Sequence, residues 1–168
     1  GFAAGASAHH RLVFKTHPLE DGREPLQRYL REVSRDAGIS DRVHLIRGGK
    51  LAPLISRANT AVTVNSTAGQ QVLLRGMPLR IFGKAIYAKP EFVSNQPLEE
   101  FFKDPKLPDT AAYRDFRQFL LETSQIPGSY YTADGRAEIL RKVVDVLLAN
   151  ADPYELRYRA SAAQRSPV

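Results

Sequence analysis

Residues 60–83 read TAVTVNSTAGQQVLLRGMPLRIFG, and the pattern within them decides the architecture. TAVTV at 60–64 is β-branched and apolar, a composition that suits a pleated, packed strand. A turn of small and hydroxyl-bearing residues follows, from Asn65 to Gly69. The apolar run of Val72, Leu73 and Leu74 then predicts a helix over 67–75, with Gly76 as the stop expected just past a helix end. PLRIF at 78–82 is a second strand, closed by Gly83. A strand, a helix and a strand joined by short connections form a βαβ unit, whose crossover is right-handed and whose strands run parallel.

The same alternation extends upstream. RLVFKT at 11–16 is a short strand ending at His17 and Pro18, where proline favours extended geometry in the residue before it. Pro25 opens a helix over 25–37 with Leu26, Tyr29, Leu30 and Val33 at spacings of three and four, and Gly38 follows it. Residues 43–46 are another strand, and 50–57 a short helix around Leu51, Leu54 and Ile55. Four strands separated by helices predict an α/β fold: a Rossmann-like parallel sheet with helices on both faces.

Beyond Gly83 helices take over. A short helix is expected at 97–102, then a linker around Pro105 and Pro108, then a helix over 109–123 with Tyr113, Phe116, Phe119 and Leu120 on one side. Asp134 is suited to cap a further helix with Ile139, Leu140, Val143, Val144 and Leu147 inward. The organisation expected is a lead at 1–10, read as a join to a preceding domain or an expression remnant, one α/β domain over 11–150, and a flexible basic tail over 151–168.

Composition narrows the function. The chain has 168 residues, 43% of them hydrophobic, enough to bury one sizeable core. It contains no cysteine, which excludes disulfides, thiolate metal sites and cysteine nucleophiles. The four histidines show no metal-ligand spacing, so no metal is expected. A net charge of +6 suits an anionic partner. The basic residues are spread along the chain, and RNA-binding aromatic signatures and zinc-finger spacings are missing, which argues against nucleic acid and leaves an anionic lipid or glycolipid. No long apolar run or leader pattern is present, which reads as a cytoplasmic protein.

In an open parallel sheet, ligands bind beyond the carboxyl ends of the strands. Polar residues collect there: Lys15, Thr16 and His17 after the first strand, Arg47, Gly48, Gly49 and Lys50 after the second, Asn65 to Gly69 after the third, Gly83 and Lys84 after the fourth. Ser66 and Thr67 head a helix, where backbone N–H groups and hydroxyls suit phosphate, although such residues also serve as plain caps. His17 beside Lys15 could pair with a phosphate or protonate a leaving oxygen, although a lone histidine is commonly structural. Gly48 lets backbone approach a ligand, or simply makes a turn. The G-x-G-x-x-G and Walker patterns are absent, which disfavours dinucleotide dehydrogenases and NTPases.

KTHP at 15–18, VNSTAGQQVLLRGMPLRIFGKAIY at 64–87 and IPGSYY at 126–131, in that order, resemble the bacterial capsule polysaccharide biosynthesis proteins, which include the Kdo transferases of group 2-type capsule assembly. The likeness covers most of residues 12–148. It implies the C-terminal, donor-binding half of a GT-B-like glycosyltransferase, with no cofactor beyond the nucleotide-sugar donor CMP-Kdo and a nucleotide-sugar-binding role for 11–150. The partners implied are a lipid-linked glycan acceptor at the inner face of the cytoplasmic membrane, where the protein would be peripheral, and the N-terminal half of the same protein. Catalytic residues are expected in that other half.

By this resemblance His17 contacts the CMP phosphate and Ser66 and Thr67 cradle it; the reading of the strand ends adds Lys15, Arg47, Gly48 and Gly69 to the expected nucleotide site. Gln71 stands where relatives tend to carry glutamate, and its amide can still hydrogen-bond a ribose hydroxyl without charge assistance. The alternatives are a UDP- or GDP-sugar transferase or epimerase, and a non-catalytic capsule assembly or export module.

Overall fold

A computed structural model describes residues 1–17, 25–126 and 128–165, with side chains described through residue 160. The elements are α1 (Phe2–Gly5), β1 (Leu12–Lys15), α2 (Leu26–Asp36), β2 (Val43–Ile46), α3 (Ala52–Ile55), β3 (Ala61–Thr63), α4 (Ala68–Leu73), β4 (Leu79–Ile81), α5 (Leu98–Lys103), α6 (Thr110–Thr123), α7 (Ala133–Leu147) and α8 (Pro153–Arg165). They divide into two compact units, Gly1–Tyr113 and Arg114–Val168.

All four expected strands form, and every ladder is parallel. β1 pairs with β2, Leu12 opposite Val43 through Lys15 opposite Ile46, and the Thr16 N–H extends the ladder by donating to the Ile46 carbonyl at 3.1 Å. β3 pairs with β4, Ala61 opposite Leu79 through Thr63 opposite Ile81. The fold is thus α/β with small parallel sheets, compatible with a Rossmann-like arrangement. The expectation of one four-stranded sheet is corrected: among the described residues the ladders form two sheets of two strands each. At β4 the cause is visible. Its second edge is taken by a non-strand segment, with the Ser94 N–H donating to Leu79 at 2.8 Å and a parallel bridge from Arg80 to Ser94.

The core of unit Gly1–Tyr113 lies around β4 and α4. Leu73, Leu79, Tyr87, Phe101 and Tyr113 are its largest fully buried side chains, and the Phe92 and Tyr113 rings meet edge to face at 5.3 Å. The β1–β2 pair is less well covered. Val13 and Phe14 are exposed, and on α2 Tyr29 and Val33 stay exposed while Ser34 is buried. A two-stranded sheet offers that helix too little surface to cover the whole expected face.

The first residues make packing contacts with α5 and Arg42. Phe2 is buried, its ring edge-on to Phe102 at 5.3 Å and 4.7 Å below the Arg42 guanidinium. Arg42 also donates to the carbonyls of Ala6, Ser7 and His10, satisfying the end of α1. α1 reaches α5 through glycines: a Cβ on Gly5 would lie 2.0 Å from the Glu99 carbonyl oxygen.

In unit Arg114–Val168, α6 and α8 meet through the Phe119 and Tyr154 rings at 5.9 Å and an ion pair from Arg157 to Glu122 at 3.1 Å. The cap of α7 is Thr132, whose hydroxyl accepts from the Gly135 N–H at 3.1 Å, rather than Asp134. Leu140, Val144 and Leu147 are exposed, against the expectation that they point inward; only Ile139 and Val143 are partly covered. Ile139 packs on Gly128, so the helix turns that narrow side to its own unit. Within residues 151–168, Pro153–Arg165 form α8, with Asp152 accepting from the Tyr154 N–H at 2.8 Å.

Candidate functional site

The topology sorts the sequence-predicted residues into two groups. Lys15 ends β1 and is half-buried, with His17 exposed just after it. Because Lys15 lies opposite Ile46, the exit of β2 carries Arg47 and Gly48 to the same sheet end. Both are exposed, and Gly48 and Gly49 have φ of 70° and 72°, the left-handed region in which glycine carries no Cβ penalty. Pro18 of the His-Pro pair lies outside the described residues.

The second group follows β3. Asn65, Ser66 and Thr67 are exposed on the turn that leads into α4, Gly69 is buried in its first turn, and Gln71 is exposed. Part of this turn is spoken for. The Ser66 hydroxyl accepts from the Ala68 N–H at 3.2 Å, and the Gly69 and Gln70 N–H groups donate to the Ser66 and Thr67 carbonyls. The Ser66 hydroxyl therefore closes the turn ahead of α4, whose N-cap, the exposed Thr67, makes no side-chain cap hydrogen bond. Gln71 turns its carbonyl to Arg75, 2.9 Å from Nη1.

What holds the turn is a residue the sequence reading passed over. Tyr87 is buried, and its phenol donates a hydrogen bond to the Ser66 carbonyl. Burial raises its pKa above the ordinary tyrosine value, so the donor proton is retained at neutral pH. The ring lies on Gly69: a Cβ there would come 2.4 Å from the Tyr87 hydroxyl. The exit of β4 is pressed against the same turn, since the Gly83 N–H donates to Val64 at 2.7 Å and a Cβ on Gly83 would meet Val64 and Asn65. The available signal was that Gly69 and Tyr87 both fall inside the 64–87 stretch that carried the resemblance.

The structure thus joins Lys15, His17, Arg47 and Gly48 at the exits of the β1–β2 pair, and Ser66, Thr67 and Gly69 with Gly83 at the exits of the β3–β4 pair. Both groups are polar turns at the carboxyl ends of parallel strands, the place where open α/β sheets commonly bind ligands. The chain belongs to the family described as capsule polysaccharide biosynthesis protein, whose profile matches residues 1–131.

Over 130 residues it is 28% identical to the capsule polysaccharide export protein KpsS of Escherichia coli, covering 77% of this chain and 33% of that protein. Over 135 residues it is 29% identical to the capsule polysaccharide modification protein LipB of Neisseria meningitidis serogroup A, covering 78% of this chain and 32% of the relative. LipB of serogroup B matches to the same extent. The chain therefore spans about a third of the length of these relatives. No solved structure matches it. Among the described residues no helix is long and apolar enough to cross a membrane.

Proposed function

We propose that this chain is the donor-binding half of a GT-B-like capsule glycosyltransferase that uses CMP-Kdo and acts on a lipid-linked acceptor at the inner face of the cytoplasmic membrane. The observation that carries the reading is the 65–69 turn. Asn65, Ser66 and Thr67 are exposed on it, it bears two hydroxyls, it is braced from beneath by Tyr87, and it lies inside the family-matched stretch. A turn fixed before the ligand arrives loses little entropy on binding.

In the chemistry proposed, transfer leaves negative charge on the departing CMP phosphate. Lys15 and His17 supply cationic or N–H donors to it, and Ser66 and Thr67 supply hydroxyl and backbone donors. Arg47 and Gly48 flank the nucleotide, and Gln71 offers its amide to a ribose hydroxyl. The acid or base for the acceptor comes from the remainder of the longer protein.

Titration of the chain with CMP, UMP and GMP tests the base preference, with CMP expected to bind most tightly. His17→Ala is expected to weaken CMP about tenfold to a hundredfold and to leave cytidine unchanged, in line with the loss of a charge-assisted hydrogen bond of about 1.5–3 kcal/mol. A variant in which cytidine and CMP weaken together, with a lowered melting temperature, assigns His17 a structural role instead. The chain alone is expected to transfer no Kdo; turnover of CMP-Kdo onto a lipid-linked acceptor by the purified 168-residue protein would contradict the division of labour.

A second reading starts from the likeness to KpsS, an export protein: a non-catalytic assembly module. It predicts no nucleotide preference at all, whereas preference for UMP or GMP selects a transferase or epimerase with another donor.

A further inference from the structure

Along β4, Leu79 and Ile81 are buried, and Arg80 between them projects to the opposite face. A cavity of about 300 Å³ opens there, between the strand and the segment 88–95. Its lining includes Arg80, Phe82, Gly83, Lys89, Val93 and Asn95.

Arg80 is held in place before any ligand binds. Its Nε donates to the Gln96 carbonyl at 3.1 Å, its Nη1 to the Ile81 carbonyl at 2.6 Å, and its guanidinium carbon lies 5.1 Å from the centre of the Phe82 ring. Carbonyls orient a guanidinium without neutralising it. Among the described residues no carboxylate pairs with Arg80 or Lys89, Nη2 of Arg80 makes no hydrogen bond, and no acidic side chain lines the cavity. A half-buried, fixed cation lacking a counter-charge is unusual where burial raises the cost of charge, and an anionic group is the chemistry that such a cation suits.

We propose that this cavity is an oxyanion subsite, in which Arg80 and Lys89 take a carboxylate or phosphate group and Asn95 adds its amide. Phe82 walls the ring or chain that carries the anion. Gly83 lines the cavity and also abuts Val64 and Asn65, so the subsite adjoins the 65–69 turn at the exits of the β3–β4 pair. A ligand with two anionic groups can then occupy turn and cavity together. The carboxylate source, an acidic donor sugar, rests on the donor reading above; phosphate binding by Arg80 and Lys89 does not.

The test is a ¹⁵N chemical-shift titration of the full chain with inorganic phosphate, with Kdo and with Kdo methyl ester, following the amides of 80–83 and 88–95. Saturable shifts with at least one anion are expected, with the neutral ester inert. Lys89→Gln and Arg80→Lys should each weaken that anion about tenfold, the first by removing a charge and the second by removing the planar fork. Lys89 is exposed and its ammonium has no partner among the described residues, so Lys89→Gln keeps the fold even if Arg80→Lys does not. A response to Kdo identifies the carboxylate source and a response to phosphate alone identifies the other. CMP affinity measured on the same samples tests the donor reading separately: its absence, with the anion response intact, removes that reading and leaves the subsite. Amides unmoved by either anion, or Lys89→Gln binding as tightly as the parent, overturn the proposal.

Discussion

Gly69→Ala is expected to destabilise unit Gly1–Tyr113 by about 2–3 kcal/mol, the upper part of the usual cost of overpacking a filled core. The sign is the informative part. Helix propensity alone predicts a gain of about 1 kcal/mol when glycine becomes alanine inside a helix. The new methyl would come 2.4 Å from the Tyr87 hydroxyl and 2.6 Å from its Cζ. Tyr87 has no room to retreat because it is buried and bonded to the Ser66 carbonyl. Denaturant unfolding measures the loss, and the Gly69→Ala, Tyr87→Ala double variant isolates its origin through a positive coupling between the two positions. A stabilised Gly69→Ala protein would show that Tyr87 does not rest on α4 as described.

The second large effect concerns α1. Gly5→Leu is expected to lift the helix off α5, because even the first added carbon would lie 2.0 Å from a backbone oxygen of Glu99, which cannot rotate aside. With the helix go the burial of Phe2, its edge contact with Phe102 and the Arg42 guanidinium over its ring. Burying a phenylalanine side chain contributes about 1.5–3 kcal/mol and the cation–π contact about 0.5–1 kcal/mol, so a total near 3 kcal/mol is expected. Amide hydrogen exchange at residues 2–8 should rise at the same time. Unchanged protection there would mean that the segment does not need this close approach.

Strand positions were legible because β-branched runs bounded by glycine and proline leave little choice. Expected strands at 43–46 and 60–64 coincide with or enclose Val43–Ile46 and Ala61–Thr63. Pairing was not legible. Strand partners are chosen by tertiary contacts, and nothing in the chain before Ser94 announces that a loop will occupy the edge of β4. The site followed the same division. Ser66, Thr67 and Gly48 stood out through local chemistry, whereas Tyr87 reads as one more aromatic until the fold lays it on Gly69. On α7 the apolar repeat was real, yet periodicity states only that a face exists, and Leu140 and Leu147 remain exposed.

The brace from Tyr87 ends on the carbonyl of Ser66, an atom that every amino acid possesses. The brace itself is therefore indifferent to the side chain at 66, which the turn uses only through the hydroxyl that accepts from the Ala68 N–H, while positions 69 and 87 are locked to each other by volume. In a diverging lineage, 69 and 87 would have to change in concert. Position 66 could drift alone among side chains that still accept from the Ala68 N–H, leaving the chemistry offered to a ligand open to variation while the frame that presents it stays constant.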